Sequence, residues 1–317
     1  MPIVFGTAPG KIILFGEHAV VYGQPAIAIP VTEVRTTVRI IPEIDAKPGH
    51  ITIQAKDLQF ESRLSDLPRD HPLAAPVHLT LEKLSPVHTP AFTIELSSTI
   101  PISAGMGSSA AVSVAIIRAL SSFLGSPLAP GDISEIAYNV EIIHHGTPSG
   151  IDNSVIAYEK PVYFLRDEPI KILNIKRATD WVIADTGEKT PTKETVSAVR
   201  ERYSSDSVVY GSIFQDIGAI AQRARKALVK GNAPLLGELM NENQKLLERL
   251  DVSSPCLDAL INAAISAGAF GAKLSGGGRG GNMIAAVSAD SVSQVKDALL
   301  DAGAKRVIMT RLTARKS

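Results

Sequence analysis

At 317 residues, 45% of them hydrophobic, the chain is long enough for two domains with cores of their own. Its 32 lysines and arginines balance 32 aspartates and glutamates, so no global basic field exists to hold nucleic acid or an anionic membrane, and any anion site must be local. Cys256 is the only cysteine, which excludes an internal disulfide and cysteine-based zinc centres; without a signal-like N-terminus or an apolar run of membrane-spanning length, the chain is expected to be cytoplasmic.

IVFGTA and KIILF predict two short strands interrupted at Pro9 and Gly10, and AIAIP and RTTVRII continue the strand signal. Lys11 opens the second strand, and GEHAVVYG follows it with Glu17 and His18 beside glycines. Taken alone, Lys11 reads as a lysine snorkelling to water, and Glu17 and His18 as an ordinary polar loop. From Pro42 to Pro90 the chain is rich in proline and polar residues, with a strand ITIQA and a short helix around Leu73 to Leu84. His71, His78 and His88 match no standard metal spacing there. AFTIEL, with Phe92, Ile94 and Leu96 alternating, is the strand that delivers the chain to PISAGMGSSAA.

That stretch places glycines and serines before AVSVAIIRALSSFLG, whose apolar positions repeat at helical spacing. A glycine-rich turn feeding a helix N-terminus can wrap an anion, because the first N–H groups lack partners and carry the positive end of the helix dipole. A tight turn capped by Ser108 or Ser109 explains the same residues. No G-x-x-x-x-G-K-[ST] occurs.

Asp132 and Glu135 resemble a capping box for the next helix. In it the row Ile133, Ala137 continues to Glu141, a costly place for a carboxylate unless it is paired, metal-bound or at the rim. HGTPSGIDNSVIAY is a second loop-to-helix junction, with Thr147 and Pro148 as N-cap and first position and Asp152 in the early turns. The strands KPVYFL and PIKILNI follow, and near Arg177 the pattern changes: WVIADT, long amphipathic helices, FGAKLSGGGRGGNMIAAVSA, a helix ending near Gly303 and RVIMTRL. A division into 1–176 and 177–317 is expected, the second part α+β. SGGGRGG holds five glycines in seven residues, more than a simple hairpin needs, which favours close backbone approach to a ligand.

Together, APGKIILFGEHAVVYG, PISAGMGSSAA, HGTPSGID and KLSGGGRGG, in this order, resemble the GHMP family of small-molecule kinases over nearly the whole chain. The resemblance implies an α+β, two-domain fold, the N-terminal domain like domain 2 of ribosomal protein S5 and the C-terminal domain ferredoxin-like, with ATP and substrate in the cleft between. GEHAVVYG with PSGID resembles the compact archaeal or bacterial branch that phosphorylates the C5 hydroxyl of mevalonate. In that case Asp152 is the base or orienting carboxylate, with Lys11 beside it favouring the ionised form and the developing alkoxide. Ser109 and Glu141 would hold Mg²⁺, and the backbone of Ala104, Gly105, Met106, Gly107, Ser108 and Ser109 would cradle the ATP phosphates. Glu17, His18, Thr192, Gly276, Gly277 and Gly278 would lie toward mevalonate, and family members point to a homodimer. One departure stands out: Arg279 interrupts a run that is usually all small residues, and is expected to face the γ-phosphate or the substrate carboxylate. The competing readings are a sister kinase acting on phosphomevalonate or another small alcohol, a mevalonate diphosphate decarboxylase, and an inactive ligand sensor.

Overall fold

The computed structural model describes residues 2–101, 105–146, 148–188 and 192–314, with the backbone alone at 145, 192 and 193. Two compact units emerge. The first gathers the residues through Lys11 with Pro30–Pro101 and Met106–Glu159; the second gathers Ile12–Ile29 with the described residues from Lys160 onward. Strands β1 (Val4–Phe15) and β2 (Ala26–Pro42) pass from one unit to the other. The break expected at Pro9 and Gly10 is absent. Both are buried within β1, and Gly10 leaves room for Val34 and Met106, so tertiary packing overrides the local breaker signal.

In the first unit, β3 (Ile51–Ala55), β4 (Phe60–Arg63) and β5 (Phe92–Ser98) extend the sheet in the order β4-β3-β5-β2. The β3–β5 pair is parallel and the others are antiparallel, with Val38 opposite Leu96 and Ile40 opposite Ile94. Helices α1 (Ala75–Leu84), α2 (Ser108–Phe123), α3 (Pro130–His145) and α4 (Ile151–Tyr158) pack on one another. Helix α2 is buried around most of its circumference, from Ala110 to Phe123, as expected of a helix covered on several sides.

Two helix starts differ from expectation. Pro130 begins α3 ahead of Asp132, so Asp132 and Glu135 form no capping box and instead meet Lys83 at 3.4 and 3.5 Å. Helix α4 begins after Gly150, in the left-handed region at φ 84°, which displaces Pro148 from the first helical position; Thr147 lies outside the described residues.

In the second unit, residues 26–28 of β2 pair with β6 (Val162–Phe164), and β6 pairs with β7 (Lys171–Ile172). Beyond them come β8 (Thr179–Asp185), α5 (Thr192–Ser205), α6 (Ser207–Lys230), α7 (Ala233–Arg249), α8 (Pro255–Ser266), β9 (Gly271–Ser275), β10 (Asn282–Val287), α9 (Val292–Asp301) and β11 (Arg306–Leu312). The antiparallel sheet runs β11-β8-β10-β9. In chain order these are its fourth, first, third and second strands, the ferredoxin-like arrangement. Edge strand β9 is closed by α7, where Asn241 Oδ1 accepts from Ala272 N and Gln244 Oε1 from Leu274 N, each at 3.0 Å. That protects an otherwise open edge. Among the described residues no helix is long and apolar enough to cross a membrane.

Candidate active site

In the first unit the site grows from the start of β1, the loop at 106–107 and α2. Lys11 N donates to Met106 O at 3.0 Å, which ties the loop to the strand. Gly107, at φ 70°, is the residue before α2; a Cβ there would lie 2.9 Å from Lys11 Cγ and 2.9 Å from Ile156 Cδ1. Only glycine suits both that backbone and that space. The stem of Lys11 therefore lies under the loop, and its ammonium reaches Asp152 Oδ1 at 2.9 Å.

The pair is asymmetric. Lys11 is 6% exposed and Asp152 34%, so the ammonium is held by the protein while the carboxylate faces outward. Asp152 also sits in the first turn of α4, where the helix dipole favours a negative charge. Neither N-cap residue of α2 or α4 contributes a side-chain cap, although Ser149 Oγ accepts from Ile151 N at 3.4 Å, and a helix N-terminus of this kind suits an anion.

Ser109 Oγ donates to Glu141 Oε1 at 2.7 Å. The α3 row behaves as its periodicity predicts: Ile133, Ala137 and Glu141 are all buried. The hydroxyl and carboxylate are two hard oxygen donors at an uncapped helix N-terminus. No group of three or more His, Cys, Asp or Glu residues placed for a metal exists among the described residues. This set suits Mg²⁺, which takes few protein oxygens and fills its shell with phosphate and water.

Residues that the periodicity did not single out hold these elements together. Arg118, on α2, donates to Thr7 O at 2.6 Å, to Ala157 O at 2.7 Å and to Glu159 Oε1 at 2.5 Å. It thus joins the helix of Ser109 to the strand of Lys11 and the helix of Asp152. Asn153 Nδ2 donates to Ser134 O and Oγ at 3.0 and 2.9 Å, fixing α4 on α3. Such a partly buried arginine gives a local sequence no sign of its distant carbonyl partners.

In the second unit, Glu17 and His18 follow the end of β1. Glu17 has no exposed side-chain surface; it is paired with the equally buried Lys273, and Asn243 Nδ2 approaches its other oxygen at 3.4 Å. Glu17 thereby anchors the turn that carries His18. His18, at φ 60°, is 7% exposed, and its Nε2–H donates to Gly277 O at 3.0 Å. Burial is the main cause that lowers its pKa to about 4, with Lys273 adding to it against the Gly277 bond. The ring is neutral at pH 7, with a lone pair on Nδ1. Gly276 and Gly278 are left-handed at φ 88° and 79°, and a Cβ on Gly278 would lie 2.0 Å from Val252 O. Ala104 and the side chain of Thr192 lie outside the described residues.

The model of the GHMP kinases N-terminal domain matches residues 73–160, and that of the GHMP kinases C-terminal domain matches 224–305. Mevalonate kinase of Thermococcus sibiricus is 34% identical, over 96% of this chain and 95% of its own length. The chain belongs to the GHMP kinase family. Among solved GHMP kinases, L. major mevalonate kinase in complex with R-mevalonate is 28% identical with a TM-score of 0.83, covering 100% of this chain and 97% of the other. Methanococcus jannaschii mevalonate kinase is 26% identical with the same TM-score, covering 99% of each chain.

For a GHMP kinase the departure at Arg279 has a structural account. Its backbone is left-handed at φ 57°, and its Nη2 meets Asp251 Oδ2 at 2.9 Å while Nε donates to Asp251 O at 3.2 Å. Arg202 shares the same carboxylate. The guanidinium is turned to the end of α7, where Asp251 offers both a carboxylate and a carbonyl within reach.

Proposed function

We infer that this protein is an ATP-dependent kinase that transfers the γ-phosphate to the C5 hydroxyl of mevalonate, giving 5-phosphomevalonate and ADP, a step of isoprenoid biosynthesis. The observation that carries the chemistry is the Lys11–Asp152 pair, a held ammonium against an outward carboxylate at 2.9 Å. Phosphoryl transfer asks the protein for positioning and charge stabilisation. Asp152 orients or deprotonates the hydroxyl; Lys11, paired with it, offsets charge growing on the attacking oxygen. The backbone at 104–109 cradles the ATP phosphates at the N-terminus of α2. Ser109 and Glu141 would hold Mg²⁺, which would neutralise phosphate charge when bound. Recognition of the acceptor is assigned to His18, Thr192 and the turn at 276–278. The functional division falls near residue 176, a reading supported by family matches on either side of it, and the protein works as a homodimer, which sedimentation of the purified chain tests.

The deciding experiment is ADP release with Mg-ATP against mevalonate, phosphomevalonate, mevalonate diphosphate, galactose and homoserine. Phosphorus NMR places the new phosphate, and a parallel assay looks for carbon dioxide. Turnover confined to mevalonate, with phosphate on C5, is expected. Turnover confined to another alcohol, or release of carbon dioxide, rejects this reading.

A further inference from the structure

The second unit buries a charged pair that the chemistry above does not use. Lys273 Nζ contacts Glu17 Oε1 and its own neighbour's carbonyl, Leu274 O, and both charged side chains are without exposed surface. Burial pulls the Lys273 pKa down while Glu17 opposes the change. Removing two charges from water costs several kcal/mol per ion, and apolar residues of the same volume are often as stable or more so. Stability alone is therefore a poor reason for the pair. Direction is the other role open to it, since in some proteins a buried polar or ionic group fixes a register.

The register concerns two motif segments. Glu17 immediately precedes His18, and Lys273 lies two residues before Ser275, where the glycine turn begins. The same segments meet twice more: His18 Nε2–H donates to Gly277 O at 3.0 Å, and Ser275 Oγ donates to Ile13 O at 2.8 Å. Beneath them, α7 supplies Asn243 to Glu17 and Gln244 to Leu274 N. The ion pair is thus the buried centre of a joint between the His18 turn and the glycine turn. His18 holds a left-handed backbone, which a non-glycine residue keeps only when its surroundings enforce it.

We propose that Lys273 is a positioning residue: through Glu17 it locks the His18 turn against the glycine turn at 275–281 and so sets the acceptor-binding geometry without touching the acceptor. This rests on the kinase reading, in which those two turns face the acceptor. The test is the double variant Lys273→Met with Glu17→Gln, which removes both charges and keeps the volume. Three readouts are taken: Michaelis constants for mevalonate and ATP, kcat, and the His18 Nε2–H resonance in the ¹⁵N-histidine spectrum. The expected result is a single cooperative melt, a mevalonate KM raised tenfold or more, an ATP KM within twofold of wild type, and loss of the protected Nε2–H signal. An unchanged mevalonate KM with that signal intact overturns the proposal and makes the pair core packing. An equal rise in both Michaelis constants also overturns it. Should the double variant not fold, Glu17→Asp, which keeps the charge and withdraws it by one methylene, must show the same selective rise, of at least threefold; no rise overturns the proposal. Wild-type enzyme is assayed alongside. If it fails to turn over mevalonate, the functional reading falls, and the Nε2–H signal alone decides whether Lys273 positions His18.

Discussion

Two of the protein's lysine–carboxylate pairs have the same chemistry in opposite settings. Lys11 and Asp152, in the first unit, are 6% and 34% exposed; Lys273 and Glu17, in the second, are both fully buried. A half-open carboxylate can meet a ligand while its lysine holds it in place, whereas a sealed pair can only hold what it is attached to. On the proposed function, exposure of one partner separates a pair assigned to chemistry from a pair assigned to geometry.

Breaking each pair at one end should separate the two roles most sharply. Asp152→Asn is expected to lower kcat by about 10²- to 10⁴-fold with the melting temperature and ATP KM retained; near-normal turnover would remove Asp152 from the mechanism. Lys273→Met on its own leaves Glu17 buried and unpaired, which should cost about 3–5 kcal/mol, seen as reduced stability in denaturant titration. A wild-type midpoint would contradict the burial argument. The contrast between the variants is the comparison in measurable form, one losing rate without stability and the other losing stability first.

The environment of the sealed pair also has a pH signature. His18 has its pKa lowered to about 4 in the fold, from 6.5 when unfolded, so between these values the unfolded chain binds more protons. Its contribution is complete above pH 6.5 and is lost as pH falls toward 4, amounting to about 3 kcal/mol. Comparing wild type with His18→Gln across that window should show a shallower acid loss in the variant; identical slopes would mean that His18 is not held neutral.

A smaller effect is expected at the Ser109–Glu141 pair. Glu141→Gln replaces a hard anionic donor with a neutral amide, so the magnesium concentration for half-maximal rate should rise several-fold, and an unchanged titration would return Glu141 to a purely structural role. The smallest belongs to Arg279→Gly. The exchange relieves a left-handed non-glycine residue and removes a half-exposed ion pair worth about 0–1 kcal/mol. Both Michaelis constants should stay within twofold, and a raised ATP KM would restore the phosphate-facing role.

Much of the first unit's site was legible in the sequence. The row Ile133, Ala137, Glu141 placed a carboxylate on a buried helix face, and PISAGMGSSAA ran into a helix with its serines at the start. Helix α5 escaped because TKETVSAVRERYSS is mostly polar, with Val199 among its few buried residues. Lys273 escaped for a different reason. In FGAKLSGGG it reads as a strand lysine reaching water, and the carboxylate that changes this reading is 256 positions away.

The sequence by itself determined the element types, the two glycine-rich turns and the residues available for chemistry, since these follow from local periodicity and backbone permissiveness. Tertiary structure decided which charges are open and which are sealed. It left Asp152 facing outward, enclosed Glu17 with Lys273 and turned Arg279 back onto Asp251. Burial and ion pairing depend on segments far apart in the chain, and the free energy of a charge depends on them more than on its neighbours in sequence.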